Sequence, residues 1–350
     1  MRLQDLGWNR FFEAQISDFS SALRPARVIE QLRGCYRVHD GERNALGEVA
    51  GKINFIVNDP LDLPVVGDWV MVTPGADHCR IDAILQRCAV LSRKAPGRGE
   101  SGQVLAANMD LVFIVTSFNR DFNLRRLERY LVLARESGAR PVILLNKLDL
   151  CAEPEAYLAE VESIGFGTLV LAISALDASG VGTVADQIAC GKTAVFVGSS
   201  GVGKSTLINA LLRDPALPTG PVRQSDDRGR HTTTSRQMLF LPDGGIVIDT
   251  PGLREISLLD QADGVEGTFN DIVLLAEGCR FRDCSHSGEP GCAVEEAIRN
   301  EGLEPERLAS YHKLSAEIRF QERKTDPLAA RREKQRWKAI HKAMRHKPKT

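Results

Sequence analysis

The run Gly198-Ser199-Ser200-Gly201-Val202-Gly203-Lys204-Ser205-Thr206 sets three glycines ahead of a lysine that two hydroxyls follow. Glycines let backbone N–H groups close around phosphate oxygens with no Cβ in the way. At this spacing Lys204 reaches the β- and γ-phosphates of a nucleotide, and the Ser205 hydroxyl binds Mg²⁺. Asn146-Lys147-Leu148-Asp149 suits base recognition. A carboxylate at Asp149 can accept both the N1–H and the 2-amino group of guanine. Adenine presents neither there, and sites of this kind discriminate by about 10⁴–10⁵. Ser174-Ala175-Leu176 follows, with backbone placed to meet guanine O6. Asp249-Thr250-Pro251-Gly252 ends an apolar run, so Asp249 is expected in the magnesium shell and the Gly252 N–H at the γ-phosphate. One of Thr232, Thr233 and Thr234 completes that shell through a hydroxyl or a carbonyl.

The order of these motifs is inverted. The base-reading motif precedes the phosphate loop, which implies a circularly permuted guanine-nucleotide domain binding GTP and GDP with Mg²⁺. One group is missing. Signalling GTPases place a water-orienting glutamine directly after the Asp-x-x-Gly run, and here that position is Leu253. Slow intrinsic hydrolysis is expected. His231, beside the threonines, is the nearest candidate to assist; the alternative is a loop histidine with no catalytic role.

Cys279, Cys284, His286 and Cys292 place three thiolates and an imidazole within fourteen residues. A Cys₃His set fills a tetrahedral Zn²⁺ with no open position, so one structural zinc is expected and a metallohydrolase is disfavoured. The other five cysteines (Cys35, Cys79, Cys88, Cys151, Cys190) are scattered, and most of them read as small buried hydrophobes; His312, His341 and His346 are expected in solvent. The net charge of −1 conceals a polarity: residues 319–350 hold twelve Lys and Arg against three acids, +9, which leaves −10 on the rest. A basic tail on an acidic body points to a polyanion such as RNA. No apolar run approaches the ~20 residues of a membrane span, and the first residues lack a signal core, so a cytoplasmic monomer off the membrane is expected.

These residues need elements to position them. Residues 1–24 lack periodicity and read as a loose leader. Over 25–92, β-like runs at 26–30, 34–38, 52–57, 68–72 and 80–85 alternate with turn residues, which predicts a small β-barrel of the oligonucleotide-binding type or a similar one. Residues 93–104 read as a basic, glycine-rich linker. Over 105–264 strands at 111–117, 141–145, 168–173 and 194–197 alternate with helices at 123–137, 154–164, 184–189 and 204–212. A hairpin over 236–248 turns at Asp243-Gly244, and a mostly parallel α/β sheet is predicted. Residues 265–350 are expected to form a helical zinc-binding domain with the basic tail.

In this order the motifs resemble the RsgA/YjeQ family of circularly permuted GTPases. The resemblance is carried by Val65-Val-Gly-Asp68, Asp121-Phe-Asn123, Arg129-Tyr-Leu131, Gly229-Arg-His-Thr-Thr-Thr234 and the cysteine cluster, beside the nucleotide motifs. It implies an oligonucleotide-binding barrel, GTP hydrolysis stimulated on the small ribosomal subunit during its late maturation, and rRNA contacts by the flanking domains. It also implies Thr233 as the switch threonine and His231 as a catalytic aid. A competing reading is a GTP-regulated RNA-binding module whose hydrolysis is incidental.

Overall fold

The computed structural model describes residues 1–51, 60–94, 102–119, 122–165, 167–214, 236–249 and 263–325. The chain divides into two compact units, Met1–Ser257 and Leu258–Thr350.

The first unit opens with a barrel of five strands: β1 (Arg24–Gln31), β2 (Tyr36–His39), β3 (Asn44–Val49), β4 (Trp69–Thr73) and β5 (His78–Ile84). They run in the order β1-β2-β3-β5-β4, and β4 pairs back onto β1 to close the ring. Alternation along each strand sends Ala26, Val28, Tyr36, Val38, Val70, Val72 and Ile81 into one core. Closure removes the exposed edges a small sheet would otherwise present. The third strand differs from expectation. Asn44–Val49 forms it, although Gly47 and mixed polarity weaken its β signal; the expected strand at 52–57 lies outside the described residues.

The leader is packed rather than loose. It folds as a short 3₁₀ turn, Leu3–Leu6, and a helix, Arg10–Glu13, that the Asn9 side chain caps by accepting from Phe11 N at 2.9 Å. Leu6 and Phe12 are buried against Trp69, Met71 and Leu85, and Trp8 meets Trp69 edge-on at 4.8 Å. Such short turns bury apolar residues at irregular intervals, so no period reveals them. The expected linker differs too: β6 (Val90–Lys94) and β7 (Gly102–Ala107) pair as an antiparallel ribbon around residues 95–101, which are not described.

The remaining strands of this unit are β8 (Leu111–Ser117), β9 (Arg140–Asn146), β10 (Leu169–Ala172), β11 (Thr193–Val197), β12 (Gln237–Phe240) and β13 (Ile246–Asp249). Their order is β10-β9-β8-β11-β13-β12, all parallel except β12. Helices Leu124–Glu136, Pro154–Gly165, Val181–Gln187 and Lys204–Leu212 lie between them in sequence; the third begins three residues before its expected start. β8, the middle strand, is buried along its whole length, as a strand covered on both faces must be. β12 then pairs with β1, so sheet and barrel form one continuous hydrogen-bonded surface.

A buried arginine locks this join. Arg27, 1% exposed, donates to the carbonyls of Leu6 in the leader, Gly67 before β4 (3.3 Å) and Asn108 before β8 (2.9 Å). Desolvation lowers its pKa to about 10, and the guanidinium remains charged at neutral pH. Nearby, Arg87 grips the fully buried Asp68 through two 2.8 Å hydrogen bonds, and Asp68 also accepts from Val65 N.

The second unit holds helices Asp263–Thr268, Asn270–Ala276, Ala293–Arg299 and Pro305–Thr325. Arg307 is its polar anchor: it bonds both carboxylate oxygens of Asp271 (2.7 and 3.0 Å) and Thr268 O, and lies over the Phe269 ring. The basic residues from Asp326 onward lie outside the described residues. Among the described residues no helix is long and apolar enough to cross a membrane.

Candidate functional site

Parallel strands deliver their carboxyl ends to one edge of the sheet, where ligands bind in open α/β folds. Ser117, Asn146, Ala172, Val197 and Asp249 end β8, β9, β10, β11 and β13 respectively. The loop after β11 is the phosphate loop, and Lys204 opens the helix that follows it. Gly198 has φ +146°, and a Cβ there would sit 2.2 Å from Val115 O on β8. At Gly203 (φ +99°) a Cβ would meet Asn146 Nδ2 at 2.2 Å. Both positions therefore exclude any side chain, for different neighbours. Lys204 Nζ donates to the carbonyls of Gly198 and Ser199 at 2.7 Å each, which folds the ammonium over the loop.

Asn146 joins the two halves of the site. Its Nδ2 donates to Val202 O in the phosphate loop (2.8 Å), and its Oδ1 accepts from Ala175 N in the loop after β10 (2.9 Å). At 2% exposure both ends of the amide are committed to the protein, so the residue sets the spacing between loops. Lys147 adopts left-handed backbone (φ +67°) and swings the chain into the turn that carries Asp149. There the exposed Asp149 carboxylate accepts from the buried Ser174 hydroxyl at 2.7 Å. Ser174 also receives Asp177 N at 3.4 Å, which tightens the loop holding Ala175.

Asp249 ends β13 beside β11 and the phosphate loop. It is half-buried, and burial raises its carboxyl pKa, with no compensating charge among the described residues. A partly desolvated carboxylate is the hard-oxygen donor that Mg²⁺ takes. His231, Thr232, Thr233, Thr234, Gly252 and Leu253 lie outside the described residues.

The cysteine cluster converges as the spacing predicts. Ligand atoms of Cys279, Cys284, His286 and Cys292 all lie within 4.8 Å of one another. Cys279 and Cys292 sulfurs are 3.9 Å apart, and His286 Nδ1 lies 3.4 Å from Cys292 Sγ and 3.7 Å from Cys279 Sγ. Zn–S bonds near 2.3 Å in a tetrahedron put sulfurs about 3.8 Å apart, so these residues fit one zinc ion. Cys292 caps the helix Ala293–Arg299, its sulfur accepting from Glu295 N, where a helix N-terminus favours thiolate. Burial lowers the His286 pKa, favouring the neutral imidazole that ligates metal. Glu289 braces the intervening loop by accepting from the Ser285 hydroxyl and from Ser285 N and Ser287 N (2.9 and 2.7 Å). The Ser285 hydroxyl bond leads the lowering of its pKa to about 2.

Two side-chain expectations are corrected. His312 is half-buried rather than solvent-exposed, because its helix turns it inward beside Tyr311 and buries Nε2. Of the five scattered cysteines Cys79 alone is buried; Cys35 and Cys151 are half-buried, and Cys88 and Cys190 are exposed. Sequence reasoning also missed Arg27, Asn108, Arg87 and Arg236, whose partners are main-chain groups, an amide or an acid far along the chain that leave no local signature.

A family model described as RsgA GTPase matches residues 84–259. A protein of Opitutus terrae named small ribosomal subunit biogenesis GTPase RsgA is 43% identical over 363 aligned positions, spanning 99% of this chain and 97% of its own. Among solved structures, YjeQ from Thermotoga maritima aligns at TM-score 0.64 and 28% identity, covering 85% of this chain and 98% of that one. YloQ, described as a circularly permuted GTPase, shares the fold at TM-score 0.62 and 24% identity, with 87% and 98% covered.

Proposed function

This chain belongs to the RsgA GTPase family of GTP-hydrolysing enzymes, and on that premise we propose that it hydrolyses GTP on the small ribosomal subunit during that particle's maturation. The observation that carries the nucleotide site is the Asn146 brace, which holds the base-reading and phosphate-binding loops at fixed separation. Guanine N1–H and its 2-amino group bond to Asp149, and Ala175 backbone meets O6. Backbone N–H groups of 198–206 surround the phosphates, and Lys204 exchanges its two carbonyl partners for phosphate oxygens. Ser205, Thr233 and Asp249 would hold Mg²⁺, which would supply neutralisation of charge on the phosphates. Gly252 N–H senses the γ-phosphate.

Leu253 carries no group to orient water, so turnover is slow alone and fast on the particle, where His231 or a ribosomal group completes the site. Cys279, Cys284, His286 and Cys292 would hold one zinc ion in a structural role. The barrel, the zinc module and the basic tail supply the rRNA contacts. Leu253 also favours a second reading, a GTP-switched RNA-binding factor in which hydrolysis is incidental.

A turnover assay titrated separately with purified small and large subunits decides between them. Small subunits are expected to accelerate hydrolysis and large ones not to. His231→Ala should depress the stimulated rate with GTP and subunit binding kept, whereas Lys204→Ala loses nucleotide and turnover together. Absence of acceleration by small subunits selects the second reading; acceleration by large subunits alone removes the assigned partner.

A further inference from the structure

The strand that joins sheet to barrel also touches the magnesium carboxylate. Gln237 on β12 is the register partner of Asp249 on β13, and on its other side of Glu30 on β1. Directly opposed residues of antiparallel strands share a face, with Cβ atoms about 4.5–5.5 Å apart. Glu30, Gln237 and Asp249 therefore form one polar row across three strands. Two residues along, Leu239 and Val247 are opposed on the same face and pack into the core that holds Leu207, Ile208 and Leu211 of the phosphate-loop helix. The row thus runs on the nucleotide side of the sheet.

The barrel fixes the row from its far end. Arg37 on β2 pairs with Glu30 at 2.9 Å and neutralises it. Gln31 N donates to Arg236 O at 3.0 Å, and Arg236 Nη1 returns to Gln31 Oε1 and to Val104 O, both at 3.2 Å. Arg236 is thereby stapled to β1 and to the β6–β7 ribbon, and the next residue is Gln237. A carboxylate that ligates metal through one oxygen is ordinarily held by a hydrogen bond at the other. Gln237 brings an amide donor to the strand position opposite Asp249.

We propose that Gln237 is a positioning residue for the magnesium carboxylate Asp249, and that the barrel sets its place through the Gln31–Arg236 staple. The proposal rests on the reading of Asp249 as a magnesium ligand. Its consequence is that displacement of β1 alters metal affinity without any group of the barrel reaching the nucleotide.

The test is a Mg²⁺ titration of the full-length chain with a fluorescent non-hydrolysable GTP analogue, repeated in EDTA, with zinc content and melting temperature checked for each variant. Asp249→Asn reports on the underlying assignment. Gln237→Leu removes the amide while keeping the strand face, and Arg236→Gln cuts the staple from outside the core. Outer partners of metal ligands typically contribute 10–100-fold, so Gln237→Leu is expected to raise the Mg²⁺ midpoint about tenfold, and Arg236→Gln in the same direction, with EDTA affinity unchanged. A midpoint that moves in Asp249→Asn but not in Gln237→Leu or Arg236→Gln overturns the proposal. So does a parallel loss of EDTA affinity or melting temperature, which would make the row a packing feature. An unmoved midpoint in Asp249→Asn overturns the magnesium assignment itself and the proposal with it.

Discussion

Asp149 has one oxygen against the Ser174 hydroxyl and an otherwise exposed carboxylate, the arrangement of a group held in aim for a ligand. Hydrogen bonds to a charged group contribute about 1.5–3 kcal/mol each, so losing two in Asp149→Asn should weaken GTP binding by about 10² or more. Xanthosine triphosphate, with a carbonyl where guanine has its amine, should gain in the same competition assay. An unchanged preference for GTP would remove Asp149 from the base site. The motif residues were readable because phosphate and guanine chemistry demand particular side chains at short spacing. Asn146 was readable as part of its motif, but its work as a brace was not: Val202 O and Ala175 N lie 56 and 29 positions away in the chain. Arg27 was invisible for the same reason, since its hydrogen bonds run to three carbonyls distant in the chain.

Among the elements, the alternation of strands and helices over 105–212 was plain, because each buried strand is a short apolar run and each helix has its own period. Asn123, expected as the first residue of its helix, instead caps Leu124–Glu136, its side chain accepting from Arg126 N at 3.0 Å. β3 was obscured by Gly47, and the leader by its lack of any period. The barrel also depends on an interaction no pattern shows. Asp68 is 0% exposed at the start of β4, and Arg87 ties it to the carbonyls of Leu61 and Leu63. Removing one partner of such a buried pair leaves an uncompensated charge and costs about 3–5 kcal/mol. Asp68→Ala should therefore lower the denaturant midpoint substantially, by more than Arg80→Ala, whose guanidinium pairs with Asp82 at the surface. Equal midpoints for the two variants would show that the buried pair does not anchor the barrel.

At the scale of the whole molecule, the two compact units allow the metal and the nucleotide to be separated by experiment. Cys284→Ser should drive zinc content toward zero and loosen the second unit, while GTP affinity, which resides in the first, changes far less. Full zinc occupancy in that variant would contradict the ligand set. The inverted strand order has a consequence in time rather than in space. During synthesis the chain completes the barrel first, then the base-reading turn at Asn146, and only later the phosphate loop and Asp249. At about 5–20 residues per second, the strand β13 emerges some 5–20 s after β9. Until β11 emerges, β8 has only β9 beside it, and the Asn146 brace has nothing to hold until Val202 has been made. A nascent chain of this order has no complete nucleotide site until β13 has been made, so the guanine site becomes whole only when nearly all of the first unit has been synthesised.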